Sequence, residues 1–180
     1  MSIARQPRVK AHVMDADALR RSLSRIAHEI VERNRGTRDL VVVGIISQGD
    51  VLAHRLAAKL TELEGLEVPA GAIDASGHRD DDRPRRQDRS SDVPDLTDRT
   101  VVLVDDVIHH GRTARAAMEA LLDFGRPRAI QLAALVDRGH RQLPIRPDYV
   151  GKNVPTSESE LVQVCLQEVE GVDAVVILER

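Results

Sequence analysis

Residues 101–113 run V-V-L-V-D-D-V-I-H-H-G-R-T, and this stretch constrains the fold more than any other part of the chain. Four β-branched or leucine residues lead into two adjacent carboxylates, Asp105 and Asp106. A Gly-Arg-Thr turn follows, then an alanine-rich helical pattern over residues 114–124. An unbroken apolar run of this length suits a parallel strand buried on both faces. It places the acids at the strand's carboxyl end, where open α/β sheets hold their ligands. Gly111 permits close backbone approach, and the amides that open the next helix can bind a phosphate. Carboxylates beside a phosphate-binding turn suit a sugar that carries both hydroxyls and phosphates. An ordinary strand-to-helix turn with solvated acids would not need two acids, a glycine and a hydroxyl at one buried edge.

The 180 residues are expected to form a single domain, 1–180, with a core of real size. Hydrophobic residues at 42% and charged residues at 31% give a soluble, globular profile. Phe124 and Tyr149 are the only aromatics, so the core must be aliphatic and stacking platforms for single-stranded nucleic acid are excluded. The lone Cys165 lies in an apolar alternation and reads as core filling, with no disulfide framework. No stretch is long and apolar enough to span a membrane, and a cytoplasmic location is expected. A net charge of -3 means that any nucleic-acid binding needs a local basic patch.

The periodicity predicts a helix from Asp15 or Asp17 to Asn34, closed by Gly36, with Leu19, Leu23, Ile26, Ala27, Ile30 and Val31 on its apolar face. Strand 40–46 and helix 50–63 follow, then a strand over 67–74. Residues 75–100, crowded with Asp, Arg, Ser and Pro, are expected to form a flexible active-site loop or hairpin outside the core. A strand at 130–136 precedes a long irregular segment, 137–159, of the kind that is usually functional. Two final strands, 161–168 and 174–178, flank Gly171. This order implies an α/β domain with a mainly parallel sheet flanked by helices.

The loop at 105–113 resembles the ribose-phosphate loop of the type I phosphoribosyltransferases. Three further blocks narrow the likeness: R-I-A-H-E-I-V-E-R-N at 25–34, F-G-R-P at 124–127, and V-D-R-G-H-R-Q-L-P-I-R-P-D-Y-V-G-K-N-V-P-T-S-E-S at 136–159. With them the chain closely resembles, over residues 13–176, the bacterial pyrimidine operon attenuation regulators, which are RNA-binding uracil phosphoribosyltransferases (the PyrR family). The resemblance implies a type I phosphoribosyltransferase fold with a small hood over the base. It also implies homodimers that can pair into homotetramers, with a basic RNA-binding face on the dimer. Its reaction converts uracil and 5-phosphoribosyl diphosphate to UMP and diphosphate, with Mg²⁺ accompanying the diphosphate substrate. Carried over by position, Asp105 and Asp106 would hold the ribose hydroxyls. His109, His110, Gly111, Arg112 and Thr113 would form the phosphate loop, and Ser47, Gln48 and Gly49 the pyrophosphate loop. Asp137 and Arg138 fall at the uracil pocket. Arg20, Arg21, Arg25, His140, Arg141, Arg146, Lys152 and Thr156 fall where the family contacts a leader mRNA hairpin, with UMP or UTP as the sensed nucleotide.

Four departures from the family pattern coincide with catalytic parts. His109 and His110 replace an aromatic and a hydroxyl residue. Gln48 replaces the arginine of a Thr-Arg-Gly loop, so a bidentate guanidinium gives way to a neutral amide. Residues 74–81 lose the Ile, Leu and Tyr of a strand, and the following hairpin is shorter, although Arg83, Arg85, Arg86 and Arg89 could still serve there. These changes predict weakened turnover. They leave open a non-catalytic nucleotide-binding paralogue, or a phosphoribosyltransferase for another base. No protein metal site is expected, because adjacent histidines rarely place both rings on one ion and no third lies near in sequence.

Overall fold

The computed structural model describes residues 6–80 and 91–180; Arg83, Arg85, Arg86 and Arg89 lie outside them. The elements in chain order are β1 (Arg8–Met14), α1 (Ala16–Asn34), β2 (Leu40–Ile45), α2 (Gly49–Glu64), β3 (Ala70–Ile73) and β4 (Thr100–Ile108). Then come α3 (Arg112–Leu121), β5 (Ala129–Asp137), β6 (Tyr149–Asn153), β7 (Glu160–Cys165), α4 (Gln167–Glu170) and β8 (Ala174–Glu179). Among the described residues, five strands form a parallel sheet in the order β3-β2-β4-β5-β6. The order reverses at β4, which is central, and that is where such sheets open a crevice for ligands.

Alternation along the strands builds two cores. Val42, Val102, Val104, Ala133 and Leu135 face α1 and α2. Val41, Val43, Val101, Leu103, Leu132 and Ala134 face α3. Each fully buried leucine among them contributes roughly 1.5–3 kcal/mol relative to exposure. Helix α1 begins where expected: the Asp15 carboxylate accepts the Ala18 N–H at 2.8 Å. It ends with the Gly36 N–H on the Val31 carbonyl at 2.9 Å.

A second sheet, antiparallel and ordered β1-β8-β7, stands apart from the first. Arg55 of α2 reaches across to both Glu168 and Asp173, which anchors this hood on the core. Lys10 of β1 pairs with Glu160 of β7 within it.

Four details differ from the sequence expectation. Strand β1 had no distinctive apolar pattern, because most of its residues are solvent-exposed and it is secured by pairing with β8. The segment 137–159 is not wholly irregular: Tyr149–Asn153 is the edge strand β6, too short and too rich in Gly, Lys and Asn to show a strand signature. Leu96 and Ala75, inside a stretch expected to lie outside the core, are buried against α3 and its neighbours. Cys165 is only half-buried, on the opposite side of β7 from buried Val164, so it does not fill the core.

Candidate active site

Strand β4 carries both acids within its ladder, and their carboxyls interact directly with each other. Asp105 follows Val101 and Leu103 towards the α3 side and lines a cavity of about 490 Å³. Asp106 follows Val102 and Val104 to the other side, where Glu170 of the hood acts on its charge. The Asp106 N–H donates to the Asp105 carboxylate at 2.9 Å and the two carboxyls hydrogen-bond to one another, so they stay adjacent although strand alternation starts their side chains on different sides. Asp105 is 6% exposed. Burial, and then the neighbouring Asp106 charge, push its carboxyl well above the ordinary carboxylate range. Burial raises Asp106 as well.

After Ile108 the chain turns through His109 and His110 to Gly111, whose φ of 93° starts α3. A β-carbon at Gly111 would meet only ordinary contacts, 3.5 Å and beyond, so the left-handed backbone and not crowding demands glycine. No side chain caps α3, which leaves its first amides pointed at the cavity. Arg112 and Thr113 belong to that first turn, so the helix begins two residues earlier than expected. Arg112 is held by Asp80 and Gln142, both at 2.9 Å, and Arg79 donates to the Thr113 hydroxyl at 3.3 Å. Arg79, Asp80 and Gln142 were not anticipated as lining this cavity. Only the run of charge at 78–81 hinted at the first two.

Ser47, Gln48 and Gly49 lead from β2 into α2. A β-carbon on Gly49 would lie 2.5 Å from the Val104 carbonyl, so only glycine lets this loop press on β4 beside Asp105. The Gln48 side chain points away from the cavity. Its Nε2 donates to the Val164 carbonyl at 2.8 Å and to Glu170 at 2.7 Å, which ties the loop to the hood.

The loop after β5 braces the phosphate loop. Arg138 N–H donates to the Ile108 carbonyl at 3.1 Å, and Gln142 N–H donates to the His110 carbonyl at 2.9 Å. Arg141 adds bonds to the carbonyls of His109 and Ile145 and to Asp137. Partial burial raises Asp137, but the Arg141 bond, the Gly139 N–H and the Arg146 charge outweigh it and hold the carboxyl below its usual range. Asp137 and Arg138 line a second cavity of about 480 Å³ with His140, Arg141 and Thr156. Buried Arg138 donates to the Thr156 hydroxyl at 2.9 Å. The His109 imidazole, stacked on His110 at 3.8 Å, is held down at about 4 by burial and by the Arg138 and His110 charges. It is neutral at pH 7.

A model of the phosphoribosyl transferase domain matches residues 12–169. A bifunctional protein PyrR of Thermus thermophilus is 57% identical over 177 residues, covering 96% of this chain and 98% of that protein. The bifunctional protein PyrR of Deinococcus radiodurans is 56% identical over 174 residues, covering 94% and 95%. The chain belongs to the PyrR family of phosphoribosyltransferases. The fold likeness extends further: a hypoxanthine phosphoribosyltransferase of Trypanosoma cruzi superposes with a TM-score of 0.73 at 16% identity, over 95% of this chain and 97% of that one.

The PyrR positions expected to meet RNA divide into two groups. Arg20, Arg21, Arg25, Arg146 and Lys152 are exposed. Packing of α1 beside β6 brings Arg25 next to Lys152, since its guanidinium donates to the Val150 and Gly151 carbonyls. Arg25 also pairs with Glu29, and Arg20 with Asp17. His140, Arg141 and Thr156 are instead engaged within the loop: His140 with the Thr156 carbonyl and Glu158, Thr156 with Arg138. Among the described residues no helix is long and apolar enough to cross a membrane.

Proposed function

We propose that this protein transfers a 5-phosphoribosyl group to uracil, giving UMP and diphosphate, and that it binds leader mRNA hairpins under control of UMP or UTP to attenuate transcription of pyrimidine operons. The observation that carries this reading is the arrangement on β4: buried Asp105 at the floor of the cavity, with the uncapped start of α3 at Gly111 beside it. Asp105 and Asp106, adjacent near the end of β4, accept hydrogen bonds from the ribose hydroxyls. The amides of Gly111, Arg112 and Thr113 hold the 5-phosphate. Arg79 and Arg112 face the anionic substrate across the cavity. Asp137 and Arg138, fixed by Arg141 and Thr156, recognise the edge of the base.

The oxygen donors of this cavity, Asp105 foremost, suit a hard cation such as Mg²⁺ that arrives with the diphosphate. When bound, Mg²⁺ supplies neutralisation of the departing diphosphate. The protein's own groups orient the ribose and stabilise its developing oxocarbenium charge. Exposed Arg20, Arg21, Arg25, Arg146 and Lys152 supply phosphate contacts for RNA that a net-acidic chain otherwise lacks. A dimer, or a pair of dimers, would join two such faces.

The test is a steady-state assay of uracil and 5-phosphoribosyl diphosphate with Mg²⁺, following UMP, with hypoxanthine as a parallel base. UMP formation with no reaction of hypoxanthine is the expected result. Tight UMP binding with no product would point to a non-catalytic sensor, and preference for hypoxanthine to a different base.

A further inference from the structure

At the rim of the substrate cavity, the turn between β4 and α3 meets the segment between β6 and β7 at a cluster of nitrogen and carboxylate ligands to which the proposed transfer assigns no metal. One ligand atom each from His109, His110 and Glu158 lies within 4.8 Å of the others. The Nε2 of His109 is buried and has no hydrogen-bond partner. It sits 4.0 Å from a Glu158 oxygen, too far for a hydrogen bond. Two ligands on one tetrahedral zinc ion, at roughly 2.0–2.2 Å from the metal, stand about 3.4 Å apart, so a small closure of the exposed Glu158 side chain completes that spacing. His109 and His110 stack with an interplanar angle of 26°, so one ring turns about its side-chain bonds to bring both in-plane nitrogen lone pairs onto a single ion.

We propose that His109, His110 and Glu158 form a site for one divalent ion of the zinc class, bridging the phosphate loop to the segment that follows β6. Imidazole nitrogens with a single carboxylate favour Zn²⁺, Co²⁺ or Ni²⁺ over Mg²⁺, which takes oxygen ligands. His140 is the positioning residue. Its Nε2 lies 2.5 Å from the Thr156 carbonyl, which only accepts, so that nitrogen carries the hydrogen. The other nitrogen, Nδ1, lies 3.0 Å from a Glu158 oxygen and holds the carboxylate beside His109 when both ring nitrogens carry hydrogen. The adjacency of His109 and His110 in sequence gave no reason to expect this, because the third ligand comes from a segment far along the chain.

The site is tested without turnover, and so separately from the proposed reaction. The metal-stripped full chain is titrated with Zn²⁺ alone by calorimetry in excess Mg²⁺, and with Co²⁺ for its visible absorption. One equivalent per chain is expected, with the absorption of four-coordinate Co²⁺. His109→Phe and Glu158→Gln should each weaken binding at least about tenfold, and His140→Phe less, while His54→Ala on α2 changes nothing. Glu158 is 69% exposed on its side chain, so Glu158→Gln keeps the test clear of folding defects. Absence of binding, displacement by Mg²⁺, unchanged affinity in Glu158→Gln, or a loss in His54→Ala would each overturn the proposal.

Discussion

Arg141 donates to the His109 carbonyl at 2.9 Å and to the Asp137 carboxylate at 2.6 Å, so one guanidinium couples the loop after β5 to the phosphate loop after β4. Its third bond, to Ile145 at 2.7 Å, closes the same loop on itself. In this position the side chain is a structural strut between two parts of the site, with 23% of it exposed.

Arg141→Ala should therefore destabilise the protein by about 1–3 kcal/mol, because it strands two carbonyls and a carboxylate. UMP affinity should fall with it. Arg141→Lys should rescue little, since an ammonium cannot reproduce three bonds made by a planar fork. Denaturant unfolding and UMP calorimetry check this; wild-type stability in Arg141→Ala would contradict it.

Asp105 pairs loss of function with gain of stability. Its carboxyl is raised above the ordinary range, so the folded state binds a proton more tightly than the unfolded one. Stability is thus fully present at low pH and falls as pH rises from the ordinary carboxylate range through the raised value. Asp105→Asn should raise Tm at pH 8 more than at pH 4, while UMP binding weakens severalfold or more. Asp106→Asn should also weaken UMP binding, with a smaller change in Tm. Thermal melts across pH, with calorimetry at neutral pH, measure both.

Gln48 and His110 stand where the family pattern has an arginine and a hydroxyl. Gln48 commits its Nε2 to Val164 and Glu170, so its side chain offers no donor to diphosphate. Gln48→Arg would keep Glu170 as a partner and leave further N–H groups for the substrate. A charge-assisted contact is worth about 1.5–3 kcal/mol, roughly 10- to 100-fold in rate. Turnover should rise in Gln48→Arg and rise further with His110→Thr. A parent enzyme of full activity, indifferent to both changes, would show that these positions do not limit the reaction.

RNA binding should depend on the exposed cations and not on the engaged ones. Arg146→Ala with Lys152→Ala should weaken binding of a pyrimidine-leader hairpin and flatten its salt dependence by about 0.9 per lost duplex phosphate contact, less on single strands. His140→Ala should leave that slope unchanged. Filter binding at several salt concentrations, with and without UMP, separates these outcomes.

The central features were legible because they are local. The apolar run into Asp105 and Asp106, the left-handed Gly111, the caps of α1 and the order of β2, α2, β4, α3 and β5 each depend on a few neighbouring residues. Strands β1 and β6 were not, because pairing across the sheet, and not side-chain pattern, stabilises them. Arg79, Asp80 and Gln142 escaped notice for the same reason: each looks like surface charge or polarity until the fold brings it to the cavity.

By itself, then, the sequence determined the fold class, the family and the position of the phosphate loop, all set by short-range periodicity and by motifs whose backbone demands are specific. Only the tertiary structure decided that Gln48 serves the hood, that Arg141 braces the phosphate loop, and that Glu158 comes near His109. Those are contacts between segments distant along the chain. Their geometry depends on how the sheet is stacked and paired, and no local pattern encodes it.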